Sequence, residues 1–318
     1  MSETRRLQLG VYVPAWADAA GELRAWAEVR AAALAAEAAG FDTLWMPDHF
    51  APEMPDGSQQ PLWECWTMLA ALAEATERVT IGSLITPAAF RQPALLAKMA
   101  ATADAVSGGR LILGLGAGSA RERGFELLGS DLDHRASILA EALEVIAPLL
   151  REGYVDHVGP RYRVRDYQLG VPRRPGGPPI WVSGIGARMI CLAARWADGF
   201  NLNRMAFRPE DVAEPFARFD DECRAAGRDP AAVLHTAYTC IALDDPAPTA
   251  GPRAGWIAGA PDEIAAQLHA LRAAGVHHLT CFFDGGEDPE GRAGLPLLSL
   301  HALERFAPVL EALRALGG

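Results

Sequence analysis

The sequence predicts a (β/α)8 barrel, one α/β domain over residues 1–318, and three observations carry that expectation. Short β-branched runs alternate with longer Ala/Leu-rich segments of helical period, the signature of parallel βα units. Eight such units follow one another with no interdomain linker between them. The 318 residues, half of them hydrophobic, exceed the roughly 250 that such a barrel takes and leave room for insertions.

Residues 7–13 read as the first strand, and 22–39 as a helix ended by Gly40, a residue suited to a left-handed cap. The second strand, 43–46, leads into a Pro-rich loop over 47–62. A helix over 64–75 precedes the third strand at 79–84. The helix 93–106 stops at Gly108-Gly109, and 111–115 forms the fourth strand. After a long helix at 135–150, the stretch 154–169 (YVDHVGPRYRVRDYQL) alternates around a Gly-Pro turn. It reads as a small hairpin inserted after the fourth βα unit. Strand five (180–182) precedes helix 187–196, and strand six (199–202) precedes helix 209–226 with Gly227 at its end. Strand seven (233–243) runs into a Pro/Gly-rich loop at 244–255. The helix 261–274 opens on proline and ends at Gly275, 278–283 is strand eight, and 297–316 closes the chain.

Composition excludes several function classes. A net charge of −11 leaves no basic stripe for nucleic acid. The five cysteines are scattered and form no CxxC pair, so they read as small apolar residues in a reducing cytosol. No HExxH, HxH or clustered His/Cys/carboxylate spacing suggests a metal, and no GxSxG elbow suggests a serine hydrolase. The N-terminal arginines lead directly into the first strand, without the h-region or cleavage site of a signal peptide, and no apolar run approaches the roughly 20 residues that span a bilayer. A cytoplasmic protein is expected.

In such a barrel, chemistry sits on the turns that follow the strands. After strand two come Asp48-His49-Phe50. A histidine there can shuttle a proton near neutral pH; equally, Asp48 can cap the turn and leave His49 on the surface. After strand three come Ser83, Leu84, Ile85, Thr86 and Pro87, suited to an extended turn under a planar ligand or to an ordinary strand exit. After strand four, Gly116 and Gly118 permit close approach of a flat ligand, or else serve packing of the rim. Ser119 breaks the dinucleotide-binding pattern. After strand five, Ser183, Gly184, Ile185 and Gly186 lead into a helix beside Arg188, where free backbone N–H groups make a phosphate seat. No lysine lies in these turns to form a Schiff base.

Together these turns resemble the luciferase-like family of flavin- and deazaflavin-dependent oxidoreductases. The resemblance is carried by AEAAGFDTLWMPDHF (36–50), the stretch from ECWTMLAALAEATERVTIGSLITP to GGRLILGLGAG (64–118), PPIWVSGIGARMICLAARWADGFN (178–201) and GAPDEIAAQLHALRAAGVHHL (259–279). It implies a TIM-type barrel with a flavin or deazaflavin ring across the strand ends. His49 then corresponds to the residue beside the ring implicated in proton transfer, with Asp48 as a cofactor contact. Ser83, Leu84 and Thr86 fall in the family's bulge, often with a non-prolyl cis peptide behind the ring. Gly116 and Gly118 fall beside the ring or ribityl chain, and Ser183 to Gly186 at the phosphate.

Relatives that oxidise alcohols or sugar phosphates carry Trp four positions after the histidine and Glu directly after the glycine pair; here Glu53 and Ser119 stand there. The short chain and the Asp-His-Phe turn favour coenzyme F-420 and hydride exchange with a small organic substrate. The alternatives are an FMN-dependent monooxygenase fed by a separate reductase and a non-catalytic flavin-binding protein. Dimerisation is common in the family, and the loops at 50–63 and 244–256 are the expected substrate walls.

Overall fold

A computed structural model of the chain describes residues 6–18, 21–52, 57, 59–170, 174–243, 255–283 and 298–316. Its strands are β1 (Gln8–Tyr12), β2 (Thr43–Met46), β3 (Thr80–Pro87), β4 (Leu111–Gly116), β5 (Tyr154–Val158), β6 (Arg163–Gln168), β7 (Ile180–Ser183), β8 (Gly199–Met205), β9 (Leu234–Ala242), β10 (Ile257–Ala258) and β11 (His278–Phe283). The helices are α1 (Trp26–Ala39), α2 (Cys65–Ala75), α3 (Pro93–Val106), α4 (Gly124–Leu127), α5 (Arg135–Glu152), α6 (Ala187–Trp196), α7 (Glu210–Ala225), α8 (Pro261–Ala273) and α9 (Leu300–Ala315). The order β9-β11-β1-β2-β3-β4-β7-β8, with β8 pairing back onto β9, closes the parallel barrel that the βα alternation predicts. Strands β5 and β6 form the expected antiparallel hairpin outside it. Buried Glu141 of α5 pins that hairpin's turn by accepting the backbone N–H groups of Arg161 and Tyr162.

Several boundaries differ from expectation for local reasons. Helix α1 begins at Trp26 rather than 22, because Glu28 accepts the Ala25 N–H at 2.9 Å while the Glu22 N–H is held by Asp18 at 3.0 Å. The third strand runs to Pro87 because the chain bulges after Ser83 and pairs again at Thr86 with Leu115. The sixth barrel strand likewise reaches Met205, re-pairing there with Tyr238. The short β10, which periodicity does not reveal, pairs in parallel alongside the last residues of β9. Of the loop expected at 244–256, residues 244–254 lie outside the described residues.

The lumen of the barrel is a packed plug. Trp45 and Trp181 meet at 5.0 Å between ring centroids, with His278 edge-on to both. Glycines make room for them. A Cβ on Gly10 would lie 2.4 Å from Trp45 Nε1, one on Gly82 2.5 Å from the same indole, and one on Gly199 2.6 Å from Trp181. Residues of the opposite parity face the helices and join the main core, as period-two strands covered by amphipathic helices require. At the end where the strands begin, Arg110 donates to the carbonyls of Ala73, Thr76, Val79 and Ser107, tying the end of α2 and the entry of β3 to β4. With the lumen filled and this end tied, open space is left at the opposite rim. Among the described residues, no helix is long and apolar enough to cross a membrane, and no cluster of His, Cys, Asp and Glu is arranged to hold a metal.

Candidate active site

A cavity of about 790 Å³ opens at the end of the barrel where the strands finish. Such a volume suits a cofactor-sized ligand. The β3 bulge forms part of its wall. There the Leu84–Ile85 peptide is cis, the Leu84 carbonyl accepts the Tyr12 hydroxyl at 2.6 Å, and both side chains border the cavity. Next to it runs the β4 turn. A Cβ on Gly116 would lie 2.7 Å from Ile85 Cδ1, and Gly118 adopts φ +85°, a left-handed conformation that favours glycine. Gly114 is required a step earlier, since a Cβ there would come within 2.0 Å of the Ser83 carbonyl oxygen.

The β7 turn supplies another wall. Helix α6 starts at Gly186 with no side-chain cap, so the N–H groups of its first turn keep no side-chain partner. Asn201, buried within β8, donates to Ser183 Oγ at 2.9 Å and accepts from Thr236 Oγ1 at 3.0 Å. Because the Ser183 oxygen already accepts, its own proton is left to donate towards the cavity. A Cβ added to Gly186 meets nothing within 4 Å, so the backbone there faces open space. Arg188 turns away and bonds Ser137 on α5, whereas Arg135 borders the cavity.

His49 faces the cavity from the β2 turn. Its Nδ1 lies 2.8 Å from Glu122 Oε2, and the Trp16 ring packs against the imidazole at 5.3 Å between centroids. Glu122 is itself 3% exposed, and its Oε1 accepts the N–H groups of Ala51 at 2.8 Å and Gly124 at 2.9 Å. Burial alone would raise its pKa, but the His49 bond and these two N–H groups hold it below the ordinary carboxylate range. Across the cavity, Tyr12 stacks on Phe282 at 5.0 Å, and Tyr238 meets Phe282 edge-on while donating to Asn203 Oδ1 at 2.8 Å. Burial pushes the Tyr238 phenol up to about 12.

The structure gathers His49, Leu84, Gly116, Gly118, Ser183, Gly184, Ile185 and Gly186 around this one cavity. It does not bring Asp48, Ser83 or Thr86 to the wall. Asp48 is 4% exposed and engaged from three directions: by Arg91, by Thr86 Oγ1 at 2.8 Å and by Trp66 Nε1 at 3.2 Å. Ser83 donates to the Gly114 carbonyl at 3.1 Å. The side-chain polar atoms of these three are engaged inside the protein, where they hold the turns from behind the cavity wall. Glu53 lies outside the described residues.

Sequence reasoning missed Glu122, Tyr12 and Asn201. Glu122 sits in Arg121-Glu122-Arg123, which reads as a solvated charge run. For Asn201 there was a signal, a polar residue in the inward register of a strand whose neighbours are buried.

The luciferase-like monooxygenase family model matches residues 7–251. Among curated proteins, the chain is 30% identical over 209 residues to a 5,10-methylenetetrahydromethanopterin reductase of Archaeoglobus fulgidus, covering 66% of the chain and 58% of that enzyme. It is 34% identical over 173 residues to an F-420-dependent glucose-6-phosphate dehydrogenase of Mycobacterium avium, covering 53% and 50% respectively. The chain thus spans about half the length of these curated relatives. Among solved structures, an F-420-dependent secondary alcohol dehydrogenase with an F-420–acetone adduct superposes with a TM-score of 0.78 at 21% identity, covering 97% of this chain and 99% of that one. An EDTA monooxygenase of Chelativorans sp. BNC1 gives 0.79 at 16% identity, covering 98% and 94%. These two likenesses establish the shared barrel fold.

Proposed function

Since the chain belongs to the luciferase-like monooxygenase family, we propose that it is an oxidoreductase dependent on coenzyme F-420, exchanging a hydride with a small organic substrate. The observation that carries this reading is the single cavity bordered both by the uncapped start of α6 and by His49 on its buried carboxylate. The residues present suit the cofactor. Ser183 and the first turn of α6 offer hydroxyl and N–H donors to a phosphate. The Leu84–Ile85 bulge and Gly116 offer apolar and bare backbone surface to a flat ring. When bound, coenzyme F-420 supplies the hydride chemistry at C5 of its deazaflavin ring.

The chain's own part is to place and protonate. A carbonyl that gains a hydride at carbon must gain a proton at oxygen, and an alcohol loses both; His49 is the group assigned to that proton. Tyr12, Phe282 and Tyr238 line the cavity with ring surface, which limits water beside the reacting atoms. Asp48, Ser83 and Thr86 keep the β2 and β3 turns in place.

Titration of the apoprotein with coenzyme F-420, FMN and reduced FMN, followed by absorbance and fluorescence, tests this reading. Saturable F-420 binding is expected. Tight binding of reduced FMN with none of F-420 would replace it with the monooxygenase reading, in which a separate reductase supplies the flavin. Ser119, which stands where relatives acting on alcohols or sugar phosphates carry a carboxylate, is the observation on that side.

A further inference from the structure

We infer that Glu122 is the positioning residue for His49, holding the imidazole as its Nδ1–H tautomer so that Nε2 is the atom that exchanges a proton with substrate. The inference rests on the proposed function, which gives His49 the proton role. Three observations carry it. First, every neighbour of the Glu122 carboxylate is a donor: the Ala51 and Gly124 N–H groups on Oε1, and His49 Nδ1 on Oε2. A carboxylate satisfied this way is ionised and can only accept, so the proton in the 2.8 Å contact belongs to Nδ1. Second, Nε2 has no hydrogen-bond partner among the described residues, and the ring borders the cavity. Third, the Trp16 ring packs against the imidazole at 5.3 Å between centroids, adding a second contact to its orientation.

The same carboxylate joins the two turns into one unit. Its bonds to Ala51 and Gly124 are joined by an Arg123 N–H to Ala51 carbonyl bond at 3.2 Å and a bridge between Pro52 and Glu122. Ser119 brings no carboxylate to this site; the chain turns there, with the Glu122 N–H donating to the Ser119 carbonyl at 3.2 Å, and Glu122 supplies one from three residues further along. The arrangement serves both directions of turnover. With the Nδ1–H held in its bond to the Glu122 carboxylate, Nε2 accepts a proton from an alcohol to give the imidazolium, or returns it to the oxygen of a carbonyl that receives the hydride.

The test is Glu122→Gln in the full chain. Its amide oxygen can still accept from Ala51 and Gly124, which leaves the NH2 group facing Nδ1, and an amide N–H donates. Nδ1 must then accept and the proton moves to Nε2. Nitrogen NMR of labelled histidine should report Nδ1–H for His49 in the wild type and Nε2–H in the variant, with cofactor affinity and thermal midpoint little changed. F-420-linked turnover of a panel of small secondary alcohols should fall by about 100-fold or more in kcat with KM nearly constant. Should the variant fail to fold, the wild-type tautomer decides alone: Nε2–H there overturns the inference. Retention of Nδ1–H with wild-type turnover in Glu122→Gln overturns it as well. Undiminished turnover in His49→Ala would instead strike the underlying proton role.

Discussion

Arg91 closes a two-point ion pair on Asp48, Nη1 to Oδ2 at 2.6 Å and Nη2 to Oδ1 at 3.1 Å, directly behind the turn that presents His49. The planar fork of the guanidinium matches the carboxylate, and Arg91 also reaches Glu64 at 2.8 Å beside the start of α2. The pair links the second and third βα units through one buried charge.

Arg91→Ala should therefore cost about 3–5 kcal/mol, since it strands a buried carboxylate rather than merely deleting a contact. Arg91→Lys should recover only part of this, because an ammonium cannot form the two parallel bonds. Urea unfolding of the three proteins measures it. A loss below about 1 kcal/mol in Arg91→Ala, the range of a surface pair, would mean that Asp48 is not held as described.

His278 gives the fold a distinct acid sensitivity. It is 1% exposed among Trp45 and Trp181, and burial pushes its pKa from 6.5 down to about 4, with Asp42 opposing weakly. The folded pKa lies below the unfolded one, so the unfolded chain binds more protons between these values. Stability from this residue is complete above pH ~6.5 and is lost progressively as pH falls towards ~4, by roughly 3 kcal/mol in total. Buried carboxylates such as Glu37, held below their ordinary range by three backbone N–H groups, add their loss at lower pH. His278→Phe should flatten the thermal midpoint between pH ~6.5 and ~4. An unchanged slope in that window would assign the sensitivity elsewhere.

Gly186 separates binding from folding. Its φ of −73° and ψ of 150° suit a β-branched residue, and a Cβ there meets no atom within 4 Å. Gly186→Val should leave stability within about 0.5 kcal/mol of wild type, yet weaken coenzyme F-420 binding by about 10-fold or more by standing in front of the first N–H groups of α6. Equal affinity in variant and wild type would remove the phosphate from this turn.

Much of the architecture is written locally. Alternation of β-branched and Ala/Leu-rich segments, Gly40 after α1 and Pro93 at the head of α3 each act within a few residues, and they lead to the observed order of strands and helices. The same locality makes part of the candidate site legible: His49, Gly116, Gly118 and Ser183 to Gly186 all lie in turns directly after strands and border one cavity. The boundaries that shifted did so where a side chain reached back a few residues, as Glu28 does to Ala25.

What the chain's order cannot show is which distant polar groups meet. Asp48 stands next to His49 in sequence and Glu122 lies between two arginines, so sequence neighbours point to the wrong carboxylate as the partner of the histidine. Closure of the barrel buries Asp48 on Arg91, 43 residues away, and directs Glu122 to His49, 73 residues away. A buried carboxylate takes whatever donors the folded backbone brings within 3 Å, so its partner is a property of the packed structure. Sequence alone determined that this is a barrel with its working turns on one rim; tertiary structure alone decided which carboxylate holds the histidine.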